Sequence, residues 1–156
     1  MREVEVGQVL RARGETLATA ESCTGGLLAA LITDVPGASE YFLGGIVAYG
    51  NEAKVALLGV ERELLRLHGA VSAPCAQAMA EGCRAKFGAT FALATTGIAG
   101  PGGGTPAKPV GLVYVALASP EGTRVKRHRF SGSRDEVRRQ ASDAALDLLL
   151  RTVRER

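Results

Sequence analysis

Two short runs, Thr90–Thr96 (TFALATT) and Val110–Ser119 (VGLVYVALAS), contain no charged side chain. A strand with one wet face alternates apolar and polar residues, whereas a near-continuous apolar run marks a strand buried on both faces. Such strands force a layered fold with helices on either side of one sheet. The chain has 156 residues, 46% apolar and 22% charged, with a formal net charge of +3. That is enough to bury one core, so residues 1–156 are read as a single domain and disorder is excluded.

The remaining segments supply the helices. Val6, Val9 and Leu10 fall at helical spacing within Val4–Arg13, and Gly14 suits the C-terminal cap. Thr16–Ala20 reads as a buried strand running into Glu21-Ser22-Cys23-Thr24-Gly25-Gly26. A helix follows on Leu27, Leu28, Leu31 and Ile32, with Thr24 its expected N-cap. Tyr41–Tyr49 reads as a strand, Asn51 as the cap of a short helix carrying Lys54, and Glu61–His68 as a further amphipathic piece. Pro74 opens a helix reaching Lys86, where its missing N–H costs nothing. After Val110–Ser119, the turn Pro120-Glu121-Gly122 leads into a hairpin partner, Thr123–Phe130. Ser133 and Glu136 have capping-box spacing before a last helix whose Val137, Ala141, Ala144, Ala145, Leu148 and Leu149 face inward. The expected architecture is α/β: a three-layer α/β/α sandwich on a mixed, mostly parallel sheet of about five to six strands.

In open α/β sheets, ligands sit outside the carboxyl ends of the strands. Three segments rich in polar residues or glycine follow strands here: Glu21–Gly26, Tyr49–Lys54 and Thr95–Gly104. Parallel strands bring all three to one sheet edge. The first offers hydroxyls on Ser22 and Thr24 beside Gly25 and Gly26, where backbone N–H groups can approach an anion. A lysine on a short helix is by default solvated, but a desolvated Lys54 is a base suited to a serine. His68 and His128 lack triad partners in sequence, so a Ser–Lys or Ser–Tyr–Lys site is the hydrolytic design the residues allow. The loop Gly97–Pro109 has 13 residues, five of them glycine and three proline. It lacks the Gly-Lys-Ser/Thr of a phosphate-binding P-loop, and its length favours a ligand-cradling role with Lys108 as charge partner.

Other features bound the function. Cys23, Cys75 and Cys83 show no CxxC spacing and no clustered histidines, so neither a disulfide framework nor a metal site is expected. Glu3 and Glu5 stand where a signal peptide would be apolar, and uncharged runs are broken by Gly, Pro or Ser. A cytoplasmic protein with no membrane partner is expected. The basic run Arg124, Lys126, Arg127, His128, Arg129, Arg134, Arg138 and Arg139 reads as a solvated face. Only Phe130 interleaves with it, so nucleic acid is not an expected partner, although one or two of these arginines could reach a phosphate.

Several ordered motifs carry a resemblance: ESCTGG (Glu21–Gly26), AYGNEAK ending at Lys54, HGAVS (His68–Ser72), TGIAGPGGG (Thr96–Gly104), KPVG (Lys108–Gly111) and FSGSRDEVRRQA. Together they resemble the CinA C-terminal family of nicotinamide-nucleotide amidases, in its stand-alone form. The resemblance implies a three-layer fold and hydrolysis of the carboxamide of nicotinamide mononucleotide to nicotinate mononucleotide and ammonia, in bacterial pyridine-nucleotide recycling. It implies no cofactor and no metal. Ser22 is the implied nucleophile, with Tyr49 and Lys54 as its catalytic partners. Glu21, Thr24, Gly25, Gly26, Thr96, Gly97, Gly100, Gly102, Gly103 and Lys108 are the expected substrate-binding residues. The N–H groups of Thr24–Gly26 are expected to hold the oxyanion, and the loop from Gly97 to Gly104 the ribose and phosphate. The family's usual YSN-x-x-K stretch departs here at Gly50, which replaces a serine. The competing expectation is a nucleotide-binding, competence-associated protein without catalysis. The expected partners are the small-molecule substrate and further copies of the chain in a homo-oligomer.

Overall fold

The computed structural model describes residues 1–155. Its elements are α1 (Arg2–Arg13), β1 (Leu17–Glu21), α2 (Leu27–Thr33), a 3-10 turn (Ala38–Glu40), β2 (Phe42–Val47), α3 (Asn51–Leu58) and α4 (Arg62–His68). They continue through α5 (Ala73–Phe87), β3 (Phe91–Gly97), β4 (Leu112–Ser119), β5 (Gly122–Arg129) and α6 (Arg134–Arg154). The five strands lie in the order β2-β1-β3-β4-β5. β1 pairs parallel with β2 and β3, while β4 pairs antiparallel with β3 and β5. This is the mixed sheet expected, with β4 alone reversed.

Burial follows position in the sheet. Every residue of β1 is buried, as is all of β3 up to Thr96. The edge strands β2 and β5 alternate between half-buried and exposed residues. Helices α1, α2 and α6 cover one face, where Leu17, Leu93, Val115 and Leu117 meet Val6, Leu10, Leu28, Ile32, Leu146 and Leu149. Helix α5 crosses all five strands on the other face, with α3 and α4 packed against it. That second core is built from small residues, Ala18, Ala20, Ala92, Ala94, Ala116 and Ala118 against Ala76, Met79 and Ala80.

Small residues let backbones approach closely, and Gly82 shows how closely. A Cβ at Gly82 would lie 1.9 Å from the carbonyl oxygen of Leu58, at the end of α3. An exposed mid-helix Gly→Ala exchange normally stabilises by up to about 1 kcal/mol. Here the sign reverses, because backbone must move: Gly82→Ala is expected to cost about 2–3 kcal/mol. In thermal melts that is a fall of roughly 5–10 °C, and a variant melting at or above the parent temperature would refute this packing.

Local stop and start signals act largely where the sequence places them. Gly14 closes α1 in the left-handed conformation (φ 63°), and Ser72 caps α5 by accepting from the Cys75 N–H. Ser133 and Glu136 complete a capping box at α6. Two expected caps differ. Asn51 is the first residue of α3, and the cap is Gly50. At α2 the cap is Gly26, not Thr24, because the hydroxyl of Thr24 is committed elsewhere.

The topology positions the site. The chain leaves β1 into α2 on one face of the sheet and leaves β2 into α3 on the other. The chain therefore diverges at the carboxyl ends of β1 and β2, and the crevice between such ends is the place where an open α/β sheet binds its ligands.

Candidate active site

Ser22 is the first residue beyond β1, and its N–H donates to the carbonyl of Thr95 on β3 (3.0 Å). The chain then turns through Gly25 (φ 58°) and Gly26 (φ 105°), left-handed conformations that a side chain would strain. Across the crevice, Lys54 projects from the first turns of α3. Its side chain is fully buried, contrary to the default expectation for a lysine on a short helix. The Lys54 Nζ lies 2.9 Å from Ser22 Oγ, 3.0 Å from the Ala48 carbonyl and 2.9 Å from the Tyr49 carbonyl.

These three contacts fix what the amine can do. Carbonyl oxygens only accept, so two Nζ hydrogens point at Ala48 and Tyr49 whatever the protonation state. The remaining tetrahedral position faces Ser22. In the neutral amine that position is a lone pair aimed at the serine hydroxyl. Burial lowers the Lys54 pKa below its ordinary 10.5, an effect that Cys75 and Cys23 would oppose only as thiolates. Those thiols are themselves pushed up by burial, Cys23 to about 12, so they stay protonated and supply no anion to fix an ammonium. No carboxylate among the described residues forms an ion pair with Lys54. The same shift removes Cys23 as a rival nucleophile.

Several expected contact residues have structural duties instead. Glu21 is buried, and its carboxyl oxygens accept from the Thr24 hydroxyl (2.5 Å) and from the N–H groups of Gly26 (3.2 Å), Leu28 (2.9 Å) and Ala29 (3.0 Å). It caps α2 from five residues upstream and has no surface left for a ligand. Thr24 is wholly buried and bonded to Glu21 and Thr95, so it is not a substrate-binding side chain either. Thr96 donates to the Ala70 carbonyl (2.8 Å) and ties the end of β3 to the segment before α5. Gly97 is glycine because a Cβ would fall 2.6 Å from Val113.

Tyr49 needs a correction of role. Its carbonyl, not its hydroxyl, holds Lys54. The ring is 60% exposed, and its hydroxyl accepts from Arg134 Nη2 (3.1 Å). Arg134 Nη1 also donates to the Gly100 carbonyl (2.8 Å), so this arginine joins the loop after β2 to the loop after β3. One turn later, Arg138 donates to the carbonyls of Cys23 (3.2 Å) and Thr24 (2.9 Å) and clamps the serine turn from α6. The spacing of Arg134 and Arg138, one turn apart at the start of a capped helix, is the signal in the sequence that sets them apart from the other basic residues.

The glycine loop is folded on itself. Gly100 (φ 84°) precedes a cis peptide bond to Pro101, and Gly111 donates to Ile98 at its base (2.8 Å). Lys108 Nζ donates to the His68 carbonyl (2.7 Å), which pins the loop to the end of α4. Gly102 lies in open space and Gly103 (φ 88°) makes only a loose contact with Ile98, so these two leave the loop's outer surface free of side chains. Gly50 also meets open space in an extended conformation (φ −85°) at the α3 cap. A serine there would sit at a helix cap, so its replacement removes a cap and not a member of the Ser22–Lys54 pair.

A hollow of about 460 Å³ lies between Ser119–Arg124 and α6, lined also by Thr152 and Glu155. It is at the opposite end of the sheet, where β3 begins, and Arg124 there is paired with Glu155. Its hydroxyls donate to other acceptors, Ser119 to the Gly122 carbonyl, Thr123 to Glu81 and Thr152 to the Leu148 carbonyl, and no buried amine faces them, so the Ser22–Lys54 pair is the better site. No group of three His, Cys, Asp or Glu side chains among the described residues is arranged to hold a metal ion. No helix of these residues is long and apolar enough to cross a membrane.

Comparison with known proteins identifies the family. The CinA-like protein of Anaeromyxobacter sp. (strain K) is 55% identical over 93% of this chain, and that of Geobacter sulfurreducens is 55% identical over 97%. The chain spans only 36% and 37% of those two relatives, about a third of their length. A solved CinA superfamily protein from Klebsiella pneumoniae superposes with a TM-score of 0.96 at 37% identity, over 99% of this chain and 97% of that one. The competence/damage inducible protein CihA of Agrobacterium tumefaciens gives 0.90 at 40% identity, over 96% and 94%. The CinA C-terminal domain model matches residues 2–153, and with these relatives it establishes that the chain belongs to the CinA C-terminal domain family.

Proposed function

We propose that this domain hydrolyses the carboxamide of nicotinamide mononucleotide, releasing ammonia and nicotinate mononucleotide, in pyridine-nucleotide recycling. The observation that carries the proposal is the buried Lys54 amine, held by two carbonyls so that its third position meets Ser22 Oγ at 2.9 Å. The family resemblance supplies the substrate; the geometry supports serine acyl transfer with a lysine base.

Neutral Lys54 takes the Ser22 proton as Oγ attacks the amide carbon. The resulting ammonium then gives that proton to the departing nitrogen, and ammonia leaves an ester on Ser22. Water attacks the ester, loses its proton to Lys54, and the acid departs as Ser22 recovers its hydrogen. The oxyanion donors differ from those expected. The N–H groups of Gly25, Gly26 and Leu27 are spent on Ser22, Glu21 and Thr24. Of the two that remain, the Thr24 N–H belongs to a residue with no exposed surface, so the Cys23 N–H, without a carbonyl or carboxyl partner among the described residues, takes the role. Gly102 and Gly103, with the exposed ring of Tyr49, line the mouth for ribose, phosphate and pyridinium.

Purified protein incubated with nicotinamide mononucleotide should release ammonia, and no release at any pH would reject the assignment. The rate should rise with pH as Lys54 loses its proton and level off below the ordinary lysine value of 10.5. Stability should follow the same group. Between the lowered folded pKa and the unfolded value, the unfolded chain holds a proton that the folded one has released, so stability rises with pH. Urea melts of the parent and Lys54→Met across a pH series should show the parent gaining relative to the variant as pH rises through that window. A constant difference would mean Lys54 titrates normally.

A further inference from the structure

Thr95 sits opposite Glu21 in the β1–β3 register and is completely buried. It meets the serine turn twice. Its carbonyl accepts the Ser22 N–H (3.0 Å), and its hydroxyl lies 2.8 Å from the hydroxyl of Thr24. Thr24 has one hydroxyl hydrogen and spends it on Glu21 (2.5 Å). The hydrogen between the two threonines therefore comes from Thr95, which orders the chain as Thr95 to Thr24 to Glu21. Glu21 in turn accepts the N–H groups of Gly26, Leu28 and Ala29. One residue of the neighbouring strand thus holds both ends of the segment Ser22–Thr24, which carries the nucleophile and the Cys23 N–H.

We propose that Thr95 is a positioning residue for the nucleophile, fixing the turn so that Ser22 Oγ faces Lys54 while the Cys23 N–H faces the reacting carbonyl. The inference rests on Ser22 being the nucleophile, as proposed above. Thr95 touches no substrate, and its effect passes through Thr24 and the backbone. A buried threonine that merely fills space would tolerate valine, which has the same shape and strand preference.

Thr95→Val keeps the backbone carbonyl and removes only the hydroxyl. Ångström-scale misplacement of reacting groups costs up to about 100-fold in rate. The partial loosening expected here should lower kcat for ammonia release about 10-fold, leave KM within about twofold, and be rescued to within about twofold by Thr95→Ser. A second readout needs no substrate: the rate at which a fluorophosphonate probe labels Ser22, with Ser22→Ala as blank, should fall by a similar factor in Thr95→Val and recover in Thr95→Ser. Unchanged kcat and labelling in Thr95→Val, or a loss that serine does not rescue, would overturn the inference. Slowed labelling without ammonia release from any protein would sustain it while rejecting the substrate. No labelling and no ammonia release from the parent would remove both.

Discussion

Ser22→Ala is expected to abolish ammonia release from nicotinamide mononucleotide, by about 1,000-fold or more, at unchanged fold. Removing the nucleophile of a serine hydrolase leaves only the contribution of binding and oxyanion stabilisation. The structural loss is small. Ser22 Oγ contacts only Lys54 and, at 3.4 Å, the Tyr49 carbonyl, so no buried partner depends on it except the amine it serves. The melting temperature should stay within a few degrees of the parent, with activity and folding separated in the same preparation. A variant retaining a tenth of parental activity would show that water attacks directly and Ser22 only binds.

The second large effect falls on stability. Glu21→Ala should destabilise the domain by about 3–5 kcal/mol, roughly 10 °C or more in a thermal melt. Four donors, the Thr24 hydroxyl and the N–H groups of Gly26, Leu28 and Ala29, converge on its carboxyl group inside the protein. Alanine leaves all four without an acceptor and too little space for several waters. Glu21→Gln keeps the shape but turns one acceptor into a donor facing an N–H, so an intermediate loss of about 1–2 kcal/mol is expected. Equal melting of Glu21→Ala and the parent would mean that the carboxyl group is not the cap of α2.

The gathering of three segments at one sheet edge was legible because uncharged strands alternate with amphipathic helices, and parallel pairing then dictates where their ends meet. What escaped the sequence is work done by the main chain or over distance. The Tyr49 carbonyl holds Lys54 while the side chain looks outward, and nothing in residue type announces a carbonyl's task. Thr24 has the composition of an N-cap, but the cap of α2 comes from Glu21, folded back across the turn. Burial of Lys54 depends on how closely α3 packs on α5, which the alanine-rich second core decides and local periodicity does not record. Arg134 and Arg138 are hidden in a run of basic residues whose other members include ordinary surface partners, such as Arg124 with Glu155.

Helix α1 packs beside α6, and their surfaces are pinned by Arg2 to Asp147 and Arg154 to Glu5, pairs separated by 145 and 149 positions in the chain. During synthesis α1 is made before α6 and therefore waits for it. Until α6 emerges, Leu17, Leu93, Val115 and Leu117 present one oily side of the sheet to water, alongside the inward stripe of α1. Contacts this remote are slow to find, and an unfinished layer is what chaperones recognise. Translation thus delivers the nucleophile before the clamp of Arg138 on its turn, so a nascent chain lacking α6 carries Ser22 without the scaffold that aims it.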